Sequence, residues 1–155
     1  MPLDAYLHRL LDDWQVIRPH ARISVTLQGA QPAPLIAADR TLEQAILNLL
    51  DNAADANGAS AEALRFAACW DTDSCQIEIL DRGPGLNADA APRIGEAFFS
   101  TKTGAHDRPR GIGIGLFLTN ATVGRFGGKV ELFNRNDPPG GACTRVTLPL
   151  TCLKV

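Results

Sequence analysis

Apolar positions along the chain follow two rhythms. Leu3, Leu7, Leu10, Leu11 and Trp14 recur at helical spacing and predict an amphipathic helix over 4–17, ended by Pro19. Ile23, Val25 and Leu27 alternate with Ser24 and Thr26, as in a half-buried strand, and Gly29 closes the run. Pro32 and Pro34 mark a connector into a short apolar strand at 35–37. Asp39 is a candidate N-cap for a helix over 40–57, stopped by Gly58. Residues 66–70 and 76–80 read as strands joined by the turn Asp71-Thr72-Asp73-Ser74. A short helix fits 88–94. Residues 97–112 carry charge, glycine and one proline and predict a long irregular loop, a length that often serves as a lid. A helix follows over about 114–126. Two strands finish the pattern, near 129–135 and 144–150, around the turn Asn136-Asp137-Pro138-Pro139-Gly140-Gly141.

This order lacks the strand–helix alternation of a doubly wound parallel sheet. It predicts an α/β sandwich of the α+β kind, a mixed sheet with helices layered on one face. The 155 residues suffice for one domain with a substantial core. Apolar residues make up 45% and charged residues 21%, and the net charge is −2, so composition offers no argument for nucleic acid or an anionic membrane surface. No apolar run approaches the roughly 18–20 residues of a membrane helix. The opening MPLDAYLHRLLDDW lacks the basic-then-apolar pattern of a signal peptide. Cys69, Cys75, Cys143 and Cys152 form no C-x-x-C pair, and His8, His20 and His106 show no metal-ligand spacing. Free thiols are expected.

Three stretches carry candidate chemistry. In the 40–57 helix, Leu42, Ile46, Leu49 and Ala53 fall in one sector, with Gln44, Asn48, Asp51, Asn52 and Asp55 opposite. Two asparagines one turn apart are costly in a helix, at roughly half a kcal/mol each against alanine. The polar side is either a solvated face or a site where a neutral amide oxygen meets Mg²⁺, a cation that shares its shell with phosphates. Next, Asp81-Arg82-Gly83-Pro84-Gly85 follows an apolar strand. Pro-Gly is ordinary turn chemistry. A carboxylate at a strand end can also accept a hydrogen bond from an exocyclic amine, with glycines letting a ring approach the backbone. Last, Arg110-Gly111-Ile112-Gly113-Ile114-Gly115-Leu116 has neither Rossmann nor P-loop spacing. It stands between the long loop and a helix start, where backbone N–H groups and the helix dipole suit phosphate. A hinge without a ligand is the alternative.

Four segments in order resemble the N, G1, F and G2 boxes of sensor histidine kinases. They are Asn48-Leu49-Leu50-Asp51-Asn52-Ala53, Asp81-Arg82-Gly83-Pro84-Gly85, Phe98-Phe99-Ser100-Thr101-Lys102 and Gly111-Ile112-Gly113-Ile114-Gly115-Leu116. Gly140-Gly141-Ala142, followed by a strand to Leu148-Pro149, resembles that family's closing hairpin. Within the family, DRGPG, FFSTK and GLFLTNATVGRFGG look most like the redox-responsive RegB/PrrB group. The resemblance covers about residues 20–150.

It implies a Bergerat-type ATP-binding fold with a lid loop, binding ATP and Mg²⁺. Residues 1–18 would be the residual end of a dimerisation helix and linker, and 19–155 the catalytic domain. Asn52 would ligate the metal, with Asn48 supporting it and the phosphates. Asp81 would select adenine, with Gly83 and Gly85 shaping the base pocket. Phe98 and Lys102 would belong to the lid, and Gly111, Gly113 and Gly115 would receive phosphates. ATPases of the superfamily carry a glutamate base where this chain has Asn48, which cannot take a proton at neutral pH. Asp55 stands where some relatives have a basic residue. The resemblance implies γ-phosphate transfer to a histidine on a dimerisation domain outside this chain, with a response regulator downstream. The whole protein would be a homodimer, and this part a cytoplasmic domain of an inner-membrane sensor. A protein-serine kinase of the same fold, a nucleotide-sensing module without transfer and a gyrase-like ATPase are the alternatives.

Overall fold

The computed structural model describes residues 1–58, 60–85 and 112–154, the side chains of 112–116 excepted. The elements follow as α1 (Leu3–Ile17), β1 (Ile23–Gly29), α2 (Arg40–Asn57), β2 (Leu64–Trp70), β3 (Ser74–Leu80), α3 (Ile112–Arg125), β4 (Lys129–Asn134) and β5 (Ala142–Pro149), closed by a short 3₁₀ turn, Leu150–Cys152. The five strands form one sheet in the order β1-β2-β3-β5-β4. β1 runs parallel to β2, and the other neighbours are antiparallel. The expected mixed sheet is therefore present. The segment at 35–37 makes only isolated bridges, Leu35 with Pro2 and Ile36 with Lys154.

Strand alternation sorts the two faces. Leu64, Phe66, Ala68 and Trp70 of β2, Ile77 and Ile79 of β3, and Val146 and Leu148 of β5 are buried in one core. The intervening residues form the open face, where Arg145 lies across from Glu78 in register. The Arg145 Nε donates to Glu78 Oε2 at 2.8 Å, and its guanidinium stacks 4.7 Å from the Phe133 ring centre.

The helix layer is built around α2. Its N-cap is Asp39, whose Oδ1 accepts from the N–H groups of Thr41 (2.8 Å) and Leu42 (3.0 Å). The predicted apolar sector is the buried one, with Leu42, Ile46, Leu49 and Ala53 all at most 3% exposed. Gly58 caps the other end at φ +49°, its N–H donating to the Ala54 carbonyl.

The polar side of α2 is divided between two tasks. Asp51 and Asp55 hold α1. The Trp14 indole donates to Asp51 Oδ1 at 3.0 Å, and Arg18 reaches Asp51 at 2.9 Å and Asp55 at 3.0 Å. Leu3, Tyr6, Leu7, Leu10, Leu11 and Trp14 of α1 are buried in the same core as the sheet.

Candidate functional site

β3 is paired on both sides, with β2 and β5, so its end is held at the middle of the sheet. The chain leaves it through Asp81, only 3% exposed. A carboxylate buried this far requires hydrogen bonds. Its Oδ1 accepts from the N–H groups of Gly83 (2.8 Å) and Ala142 (3.3 Å). The Asp81 N–H donates to the Ala142 carbonyl at 3.0 Å. Burial raises the Asp81 pKa above the ordinary aspartate value, against the pull of those two N–H groups and of Arg135.

The Asp81 turn is seated on the last turn of α2. The Arg82 N–H donates to Asn57 Oδ1 at 2.8 Å. Gly83 passes so close that an added Cβ would stand 2.5 Å from the Ala56 carbonyl oxygen and 2.9 Å from the Ala56 Cβ. Asn48, Asn52 and Ala56 are four residues apart, one above another on a helix. The predicted amide pair therefore lies on a stripe that ends against the turn holding Asp81. The Asn48 Oδ1 accepts from Gln44 Nε2 at 3.1 Å, which orients its amide. Among the described residues, no cluster of His, Cys, Asp and Glu could hold a metal ion. A single amide oxygen at Asn52 fits a hard cation held mostly by phosphates and water rather than by a protein cage.

The β4–β5 connection closes the other side. Gly141 adopts φ +129°, and a Cβ there would lie 2.0 Å from the Asp81 carbonyl oxygen. Gly85, at φ +74°, lies against the Asn134 side chain. Arg135 donates through Nη1 to the Asp81 carbonyl at 3.2 Å. Sequence reasoning gave no site role to Asn57, Arg82, Arg135, Asp137 or Gly141. Arg82 stood in the candidate Asp81 stretch, and Asp137 and Gly141 in the hairpin turn, without a function of their own.

α3 begins at Ile112, two residues earlier than expected. Gly113 thus lies in its first turn, where backbone N–H groups have no partner within the helix, and Gly115 closes that turn. Phe98, Lys102 and Gly111 lie outside the described residues, as do the expected helix at 88–94 and His106. His8 and His20 are exposed. No helix among the described residues is long and apolar enough to cross a membrane.

Comparison with known proteins places the fold in a family. Residues 37–152 match the model of the histidine kinase-, DNA gyrase B- and HSP90-like ATPase family. The chain is 35% identical over 136 residues to the sensor protein KdpD of Escherichia coli, covering 87% of this chain and 15% of that protein. It therefore spans a small part of such relatives. Among solved structures, a mycobacterial sensor histidine kinase, MprB, superposes with a TM-score of 0.67 at 25% identity, covering 96% of each chain. Full-length ShkA in complex with AMPPNP gives a TM-score of 0.67 at 26% identity, covering all of this chain and 31% of that one. The chain belongs to the histidine kinase-, DNA gyrase B- and HSP90-like ATPase family, as the ATP-binding domain that sensor histidine kinases carry.

Proposed function

We propose that this domain binds Mg²⁺-ATP and presents its γ-phosphate to a histidine on a dimerisation domain outside the chain, as the kinase step of two-component signalling. The observation that carries the reading is Asp81. It is a buried carboxylate at the end of a central strand, and two backbone N–H groups hold its Oδ1. On this reading its second oxygen accepts from the adenine amine, and Gly83 and Gly85 shape the base pocket by letting the turn pack closely on Ala56 and Asn134. Asn52 holds Mg²⁺, which supplies charge neutralisation at the phosphates. Asn48 donates its amide N–H groups toward phosphate, its oxygen accepting from Gln44. Gly111, Gly113 and Gly115 receive phosphate oxygens, and Phe98 and Lys102 serve the lid.

What Asn48 cannot do supports a histidine acceptor. Water or a serine hydroxyl must lose a proton as it attacks phosphorus. A neutral imidazole nitrogen attacks with a lone pair already available, so no base is needed at position 48. The new bond joins that nitrogen to the γ-phosphorus as the bond to the β–γ bridging oxygen breaks, and ADP leaves. A response regulator would then receive the phosphoryl group. The whole protein is read as a homodimeric inner-membrane sensor with this domain in the cytoplasm.

The finer resemblance to the RegB/PrrB group belongs to this proposal too. It draws no support from the Cys69–Cys75 hairpin. Cys69 is exposed and Cys75 buried, on opposite sides of the sheet, and burial pushes the Cys75 thiol up to about 12.

Calorimetric titration with ADP and a non-hydrolysable ATP analogue tests the pocket. Asp81→Asn should weaken both by tenfold or more, the loss of a charge-assisted hydrogen bond of about 1.5–3 kcal/mol. Removing Mg²⁺ should weaken the triphosphate more than it weakens ADP. Adding a histidine-bearing dimerisation domain should then give acid-labile phosphate. Acid-stable phosphate would point to a serine acceptor instead.

A further inference from the structure

Arg82 and Arg135 have side chains only 8% and 4% exposed, rare for guanidinium groups. Among the described residues, no hydrogen bond joins either one to the Asp81 carboxylate. Arg82 Nε donates to Glu62 Oε2 at 2.8 Å, and its Nη2 lies 2.7 Å from Asp137 Oδ2. Its Nη1 donates to the carbonyls of Asp137 (2.9 Å) and Gly140 (3.0 Å). Arg135 grips the same carboxylate with Nε on Oδ1 at 3.0 Å and Nη2 on Oδ2 at 2.8 Å. Its third nitrogen reaches the Asp81 carbonyl.

One carboxylate thus joins two forks. The first comes from the residue after Asp81 and the second from the end of β4. The hydrogen bonds from Arg135, and then from Arg82, hold the Asp137 carboxyl well below the usual carboxylate range. The cluster closes on the turn at 136–141, a connection that would otherwise be free to move. Two groups that touch Asp81 leave that turn directly: Gly141, packed on its carbonyl, and Ala142, whose N–H holds its Oδ1.

We propose that Arg82, Arg135 and Asp137 are positioning residues for base recognition, fixing the 136–141 turn and through it the aim of the Asp81 carboxylate. The proposal rests on the reading of Asp81 as the adenine-selecting group. The three residues touch no nucleotide on this account. They act by holding Ala142 and the Asp81 backbone in one arrangement, so that the other carboxylate oxygen is already placed when the base arrives. Preorganisation of this kind lowers the ordering cost of binding.

The test compares ADP with inosine diphosphate, which carries an oxo group where adenine carries the amine. Both are titrated into the whole chain as wild type, Asp81→Asn, Arg135→Lys and Asp137→Asn, with thermal unfolding of each. Wild type should prefer ADP by about tenfold or more, because a site built to hydrogen-bond a group rejects the analogue lacking it. Asp81→Asn should erase that preference. Arg135→Lys keeps the charge and loses the fork, and Asp137→Asn keeps the shape and loses the charge. Both should cut the ADP preference to within about threefold of one at temperatures where they remain folded. A lowered melting temperature with an unchanged preference would overturn the proposal, leaving the cluster a structural brace. Should Arg135→Lys fail to fold, Asp137→Asn decides alone, its side chain being 54% exposed. Absent ADP binding in wild type, or a wild-type preference near one, would overturn the Asp81 reading and this proposal with it.

Discussion

The carboxylate Asp81 is placed as much by atoms that neighbouring residues lack as by those it touches. At Gly141 both constraints coincide, a backbone at φ +129° and the Asp81 carbonyl 2.0 Å from where a Cβ would stand. Gly141→Ala should therefore cost about 2–4 kcal/mol, combining left-handed strain with displacement of rigid backbone. Chemical denaturation measures that loss, and ADP affinity should fall with it because the displaced atom is Asp81's own carbonyl. The place of Asp81 at the end of a strand was legible, because a lone acid between an apolar strand and a Gly-Pro-Gly turn has few structural reasons to be there. Gly83 was legible by the same pattern, although its neighbour was not: the Ala56 carbonyl lies on another element. Arg135 and Asp137 were not legible as site residues. The first reads as a strand end and the second as turn chemistry, and Arg135 meets Asp81 across 54 positions of sequence. Nothing local announces such a contact.

α2 is the element whose sequence pattern and boundaries agree most closely. Its apolar sector, its Asp39 cap and its Gly58 stop were all readable, since each depends on spacing or on a single residue's chemistry. Asp39→Ala should cost about 1 kcal/mol in urea unfolding, the usual loss when an N-cap acceptor is removed. The same variant should leave the ADP-to-inosine-diphosphate preference intact, because the cap lies at the opposite end of α2 from the Asp81 turn. Strands were less legible at their ends. β2 begins at Leu64 and β5 at Ala142, each two residues before the pattern suggested. Those residues are recruited by partners: Leu64 pairs with Ile23 of β1, and Ala142 with Asn134 of β4. Ladder hydrogen bonds from a neighbouring strand extend a strand beyond its own hydrophobic rhythm. The parallel pairing of β1 with β2 was likewise invisible, because it depends on α2 crossing between them.

The division of the whole molecule turns on α1. From sequence, residues 1–18 read as the end of a dimerisation helix, separable from the domain that follows. In the structure α1 buries six side chains in the shared core, and its Trp14 and Arg18 occupy the two aspartates of α2. Truncating one buried leucine or tryptophan to alanine costs about 2–5 kcal/mol. A domain of ordinary stability holds about 5–15 kcal/mol in all. Deleting α1 removes six such groups together and leaves Asp51 without its indole partner. A chain beginning at residue 19 should therefore show no cooperative thermal transition and no ADP binding, while the whole chain shows both. Calorimetry of the two chains side by side makes the comparison. Cooperative unfolding and ADP binding in the shorter chain would mean that α1 is an appendage, and would restore the boundary read from sequence. The expected loss would mean that α1 is the first element of the catalytic domain. The connection to a histidine-bearing helix would then lie ahead of it, and α2, which carries Asn48 and Asn52, would be held on its outer side by a helix of its own domain.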